Sequence, residues 1–194
     1  MACDQVWRRP ETIARALAKV DATPEELDTP HRLSHYVSFR VDGYGHEESM
    51  RVRRLIRADH DGTSRFLFVI RCSSLTREPV VLFIEGCRPA RFRADVPSST
   101  CAFEFALDRT PAAGELAFVE FGVRFPPGQT GNHAQMAVFR PARDMALSVA
   151  FFQPRSASPP LERGEATFDQ ENRTFQFITL DQLPGQYGIR WSWA

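Results

Sequence analysis

From Leu33 onward, apolar and polar residues alternate with a period of two. Leu33, His35, Val37, Phe39 and Val41 fall on one side, and Ser34, Tyr36, Ser38 and Arg40 on the other. This is the pattern of a strand with one buried face. Met50, Val52 and Ile56 continue the inward series, while Arg51, Arg53 and Arg57 point outward. Asp61-Gly62 is a residue pair suited to a tight hairpin, and Phe66 to Ile70 behind it is apolar on both faces. Further strands are expected over Val80–Glu85, Ala90–Ala94, Cys101–Leu107, Leu116–Phe125, Met136–Phe139, Leu147–Phe152, Glu165–Phe168, Thr174–Leu180 and Tyr187–Trp193. Pro126 to Gly131 and Ser156 to Pro160 read as loops. About ten to twelve short strands with no helical stretch between them predict an all-β fold, an antiparallel β-sandwich or flattened barrel.

The first thirty residues keep a different period. Ile13, Ala16, Leu17 and Val20 form one face of a helix that Pro10 can open. Thr23-Pro24-Glu25-Glu26 is a second helix start with the residues of a capping box, and Thr29-Pro30 cuts that helix short. The expected organisation is a helical lead over residues 1–30 and a β-sandwich domain over residues 31–194.

Composition narrows the field. The chain has 194 residues, 24 Lys+Arg against 24 Asp+Glu, and 43% hydrophobic residues. That is enough to bury a core, and zero net charge argues against a protein that mainly grips nucleic-acid phosphates. Lys19 is the one lysine beside 23 arginines, a bias assigned to genome composition. No apolar run is long enough to span a membrane. The N-terminal residues lack the basic and apolar regions of a signal peptide. Cys3, Cys72, Cys87 and Cys101 are sparse and carry no C-x-x-C, so free thiols in a reducing cytoplasm are expected.

Candidate chemistry is thin. His31 and His35 are four apart, but on a strand this is not a ligand pair, and Asp59-His60-Asp61-Gly62 reads as a turn. Ser98-Ser99 sits in a turn without a nearby His, and no Gly-x-Ser-x-Gly occurs. Glu85, Glu104 and Glu120 lie on strands, and convergence of Glu104 with Glu120 would make a paired-acid glycan enzyme. Alternation places each instead on a polar strand face. Arg51, Arg53 and Arg57, with Arg40 on the neighbouring strand, form the one candidate interaction face. Tyr187, Ile189, Trp191 and Trp193 alternate onto one side of the last strand and read as core. No catalytic, metal-binding or cofactor-binding residue is expected, and no cofactor.

Two stretches carry a resemblance. Trp7-Arg8-Arg9-Pro10-Glu11-Thr12-Ile13-Ala14-Arg15-Ala16-Leu17, continued by Ala22-Thr23-Pro24-Glu25-Glu26-Leu27, resembles the end of an XRE-type helix-turn-helix module. The closing Tyr187-Gly188-Ile189-Arg190-Trp191-Ser192-Trp193 is similar to the end of the β-rich domain found after such modules in bacterial regulators. The recognition helix has no counterpart, so the resemblance implies an effector domain without assigned DNA contacts. The expected function is a non-enzymatic sensing or interaction domain of a transcriptional-regulator-like protein. Its partner would be an unidentified small ligand or protein, not a membrane. The alternative is a DNA-binding regulator using residues 1–30 and the arginine face, and the third reading is the paired-acid enzyme.

Overall fold

Pro10 begins helix α1 (Pro10–Ala18), where its missing N–H costs no hydrogen bond. In the computed structural model, which describes residues 9–152, 157–158 and 167–193, this helix is firmly seated. Ile13, Ala16 and Leu17 join Val20, Ala22 and Leu27 in an apolar cluster with Leu67, Ala102, Ala137 and Phe139. Lys19 Nζ lies 3.2 Å from Asp95 Oδ1 and Arg15 Nη2 3.4 Å from Asp95 Oδ2. The capping box is present, with the Thr23 N–H donating to Glu26 Oε1 at 3.0 Å. The element it caps is a single 3-10 turn, Pro24–Asp28, because Pro30 stops it. Cys3, Trp7, the side chain of Trp193 and most of the expected Ser156–Pro160 loop lie outside the described residues.

The strands track the alternation closely. They are β1 (His31–Val41), β2 (Glu47–Arg57), β3 (Arg65–Arg71), β4 (Val80–Glu85), β5 (Cys87–Asp95), β6 (Thr100–Leu107) and β7 (Leu116–Arg124). After the Pro126–Gly131 loop come β8 (His133–Val138), β9 (Ala142–Phe151), β10 (Ala157–Ser158), β11 (Thr167–Asp169), β12 (Thr174–Gln182), β13 (Gly185–Arg190) and β14 (Ser192–Trp193).

A seven-stranded sheet runs β11-β12-β9-β1-β2-β7-β4, and a three-stranded sheet runs β3-β6-β5. β8 pairs with β13 and β10 with β14. The large sheet does not close, since β11 and β4 are its edges, and a barrel is excluded. Nor is it purely antiparallel: β1 and β9 run parallel. The chain reaches β9 only after traversing the second sheet and β8, and so long a crossover permits parallel pairing. The Asp61-Gly62 turn forms, with Gly62 at φ 81. It makes no hairpin, however, because it carries the chain from β2 in one sheet to β3 in the other. Among the described residues the protein is thus mostly β with one α-helix.

Inward residues of both sheets share one apolar cluster. Phe105 and Phe121 stack at 4.5 Å between centroids, and Phe68 meets Phe121 edge-on at 4.9 Å. Such ring pairs each add about 0.5–1.5 kcal/mol beyond area burial. Tyr187, Ile189 and Trp191 are core residues, as expected. Cys72, Cys87 and Cys101 are buried free thiols. Among the described residues no helix is long and apolar enough to cross a membrane.

Candidate functional site

The outward face of the large sheet holds the expected arginines, Arg51, Arg53 and Arg57 on β2 and Arg40 on β1. Arg53 on β2 lies opposite Glu120 on β7, its Nε 2.8 Å from Glu120 Oε2, and Arg51 grips the other carboxylate oxygen. The two arginines cover Glu120, whose side chain is only 6% exposed. Arg51 lies over the Phe83 ring at 5.3 Å and Arg53 over Phe118 at 5.7 Å. Arg40 and Arg57 share this face but have other partners: Arg40 is 4.0 Å from Glu48, and Arg57 donates to His31 Nδ1 at 3.1 Å. Instead of a free cationic strip, the face carries an arginine–glutamate row flanked by aromatic rings. Leu116, Phe118, Val80, Leu82, Phe83 and Ile84 stand exposed beside it on β7 and the edge strand β4. The sequence hid this face, because β4 is continuously apolar and reads as a buried strand.

Glu104 does not meet Glu120. It lies on β6 in the three-stranded sheet, held by Arg91 and by Arg65, whose Nη1 is 3.4 Å away. Its strand neighbours Phe103 and Phe105 point into the shared core, so Glu104 faces away from it, as Glu120 does on the other sheet. The paired-acid reading fails on this geometry. Ser98 donates to Asp95, which is already engaged by the helix, so the serine pair holds a turn.

The second feature is a cavity lined from both apolar clusters. A register shift in β1 between Arg32 and Ser34 accommodates Leu33 and brings His35 opposite Arg54 of β2. Both side chains take inward positions and are 4% exposed. They line a cavity of about 650 Å3 together with Val37, Phe39, Met50, Phe68, Ile70 and Glu47. Exposed residues such as Arg71 and His133 also line it, so it reaches the surface.

The polar groups in this cavity are poorly matched. Arg54 lies among three rings, its Cζ 5.7, 5.2 and 6.0 Å from the centroids of Phe66, Phe68 and Phe121. Its Nε and the Nε2 of His35 have no hydrogen-bond partner among the described residues. Burial, then the charges of Arg54 and Arg32, holds His35 well below its ordinary pKa, so its ring is neutral. Burial, and then Arg32, opposes the Arg54 charge as well. A guanidinium nonetheless keeps its proton. Burial alone raises Glu47 to about 7. Gln129 shows the contrast. Fully buried, it donates to Ser74 O and Pro126 O and accepts from the Ser73 N–H, pinning the Pro126–Gly131 loop.

No protein-family model matches this chain, and no curated protein does. Solved structures do match in fold. The M1 zinc metallopeptidase from Deinococcus radiodurans superposes with a TM-score of 0.52 at 14% identity, over 82% of this chain and 42% of that one. A two-domain M1 zinc metallopeptidase mutant bound to L-arginine gives the same figures. A candidate protease from Parabacteroides distasonis ATCC 8503 gives 0.51 at 8% identity, over 84% of this chain and 35% of that one. The chain therefore spans about two fifths or less of the length of these structures. At such identities the likeness is one of fold.

That fold corrects the functional expectations. The regulator reading rested on two short terminal motifs, whereas the likeness to peptidase structures extends over four fifths of the chain. The transcriptional sensing domain, its DNA-binding alternative and the assignment outside enzymes are all overturned. Among the described residues, none able to hold a zinc ion are gathered together. The chain has no His-Glu-x-x-His, and no group of three or more His, Cys, Asp or Glu among the described residues could hold a metal. His31 Nε2 donates to Pro141 O, 3.0 Å away, while His35 lines the cavity.

Proposed function

We propose that this chain is the β-rich unit of a metallopeptidase-type protein, and that it works against a separate unit carrying the zinc chemistry. The observation that supports this is the coverage. The fold likeness takes in 82% of this chain but leaves more than half of a two-domain metallopeptidase unmatched. The finer architecture favoured is a sandwich, with inner faces of the seven- and three-stranded sheets sharing a core.

The face we assign to that second unit is the exposed apolar strip of β4 and β7 beside Arg51, Glu120 and Arg53. Exposed apolar side chains so grouped and bordered by charged residues have the composition of an interface. Phe83 and Phe118, each under an arginine, are its natural anchors. The test is a Phe83→Asp, Phe118→Asp double variant. Its fold should survive, read by circular dichroism, while association with a unit carrying His-Glu-x-x-His is lost. Unchanged association would remove this face from the proposal.

A further inference from the structure

We infer that the cavity lined by Arg54 and His35 binds a small carboxylate with an apolar tail, its carboxylate held by Arg54 and its tail lying along Val37, Phe39, Met50, Phe68 and Ile70. This is independent of any second unit, because every residue concerned belongs to the described chain.

The first ground is the unanswered charge of Arg54. It is 4% exposed and lines the cavity, and its Nε has no hydrogen-bond partner among the described residues. An isolated buried cation costs several kcal/mol even after relaxation. Three phenyl faces recover part of this, at roughly 0.5–2 kcal/mol each, but they satisfy none of the directional N–H donors. A planar carboxylate would, since its two oxygens match the guanidinium fork. The neighbouring cation is not equivalent. Arg32 already donates to Ala137 O and Leu27 O at 3.3 and 3.2 Å.

The second ground is His35, directly across the strand pair. Its unpartnered Nε2 lines the same end of the cavity and offers a second polar contact beside the guanidinium.

The third ground is shape and composition. Beyond Arg54 the inward positions of β1 and β2 are Val37, Phe39, Val52 and Met50, faced by Phe68 and Ile70 of β3. Arg54 is four residue steps along the strand from Met50, about 13 Å at ~3.3 Å per residue. Glu47 lines the cavity beyond Met50, which disfavours a second anionic group at that end. Arg9, Arg32 and Arg71 also line the cavity, but the stretch from Arg54 to Met50 is walled by apolar side chains, which fits a monocarboxylate of medium acyl length lying along it. The whole cavity, which also runs past Thr12 and Ile13 of α1, has a volume of about 650 Å3, in the range of small-molecule sites.

Sodium decanoate and decan-1-ol, titrated separately by calorimetry into the whole protein, test the assignment. Decanoate should bind at least tenfold more tightly than the alcohol. Arg54→Met should lose at least tenfold in decanoate affinity while binding the alcohol within threefold of wild type. Arg54→Lys, which keeps the charge, should retain part of the preference. No decanoate binding by the wild type at millimolar concentration, or equal decanoate affinity in Arg54→Met, would overturn the inference. Should Arg54→Met fail to fold, the wild-type ratio decides alone: ten or more supports the site, and a ratio near one ends it.

Discussion

His35 and Arg54 face each other across the β1–β2 ladder, both turned inward, each with a ring nitrogen or guanidinium nitrogen that no described residue answers. A neutral imidazole beside a buried cation is tolerated here because three phenylalanine rings surround the guanidinium. In the absence of ligand, the pair is a stability cost. Replacing Arg54 by Met, a flexible apolar side chain, should therefore stabilise the protein by about 1–4 kcal/mol. Urea unfolding of ligand-free wild type and Arg54→Met measures this, and a loss of stability would show that the guanidinium is already satisfied.

Glu47 imposes a second cost, this one dependent on pH. The folded protein keeps its proton to about pH 7, whereas the ordinary value is 4.5. Between these values the folded state binds more protons than the unfolded chain, so stability falls as pH rises and the penalty is complete above 7. Glu47→Gln removes it. The variant should match wild type near pH 4.5 and exceed it by roughly 1–3 kcal/mol at pH 8. His35 has the opposite sign. Its depressed value makes acidification below about 6.5 destabilising, and the difference between wild type and Glu47→Gln cancels that contribution.

Gly86 joins β4 to β5 at φ +72, and a Cβ there would stand 2.1 Å from the Phe118 carbonyl oxygen. Both the left-handed backbone and the main-chain clash oppose any side chain. Gly86→Ala should destabilise by about 2 kcal/mol or more, read from the urea midpoint. Gly62, equally left-handed but with open space around it, provides the control: Gly62→Ala should cost about 1 kcal/mol.

The three described cysteines should be inert in the native state. Cys87 is pushed up to about 12 by burial and then by Asp108. Cys101 is raised by its hydrogen bond with Cys72 and by burial. Thiolate is the reactive form, so Cys72, Cys87 and Cys101 should resist iodoacetamide until urea unfolds the chain. Mass spectrometry of tryptic peptides reads each site separately.

Much of the architecture was legible because strand alternation is a local signal. Val37, Phe39, Met50 and Val52 declare their inward face without help from any partner. The lead also declared itself, since Ile13, Ala16 and Leu17 keep helical spacing and do bury one side. What stayed hidden depends on residues far apart in the chain. The parallel β1–β9 pairing is set by 108 residues of intervening path, from Tyr36 to the neighbourhood of Asp144, whose Oδ2 accepts from the Tyr36 hydroxyl. Arg54 stands between Val52 and Ile56 of the inward series, where its charge gives no hint of a partner. Only the Leu33 irregularity and the facing sheet turn it, with His35, into one end of a cavity. Glu120 looked like a solvated carboxylate or half of an acid pair. It is a covered counter-ion, because β2 places two arginines across from it.

The central claim, that this chain is one unit of a metallopeptidase-type protein, is tested most directly on the protein isolated at its natural level under mild conditions. The measurement is the mass and zinc content of that species, with peptide hydrolysis followed before and after a chelator. The account predicts that residues 1–194 are found joined to, or tightly bound by, a unit containing His-Glu-x-x-His, with about one zinc per assembly and hydrolysis that the chelator abolishes. A species consisting of this chain alone, free of zinc and of chelator-sensitive hydrolysis, would contradict it.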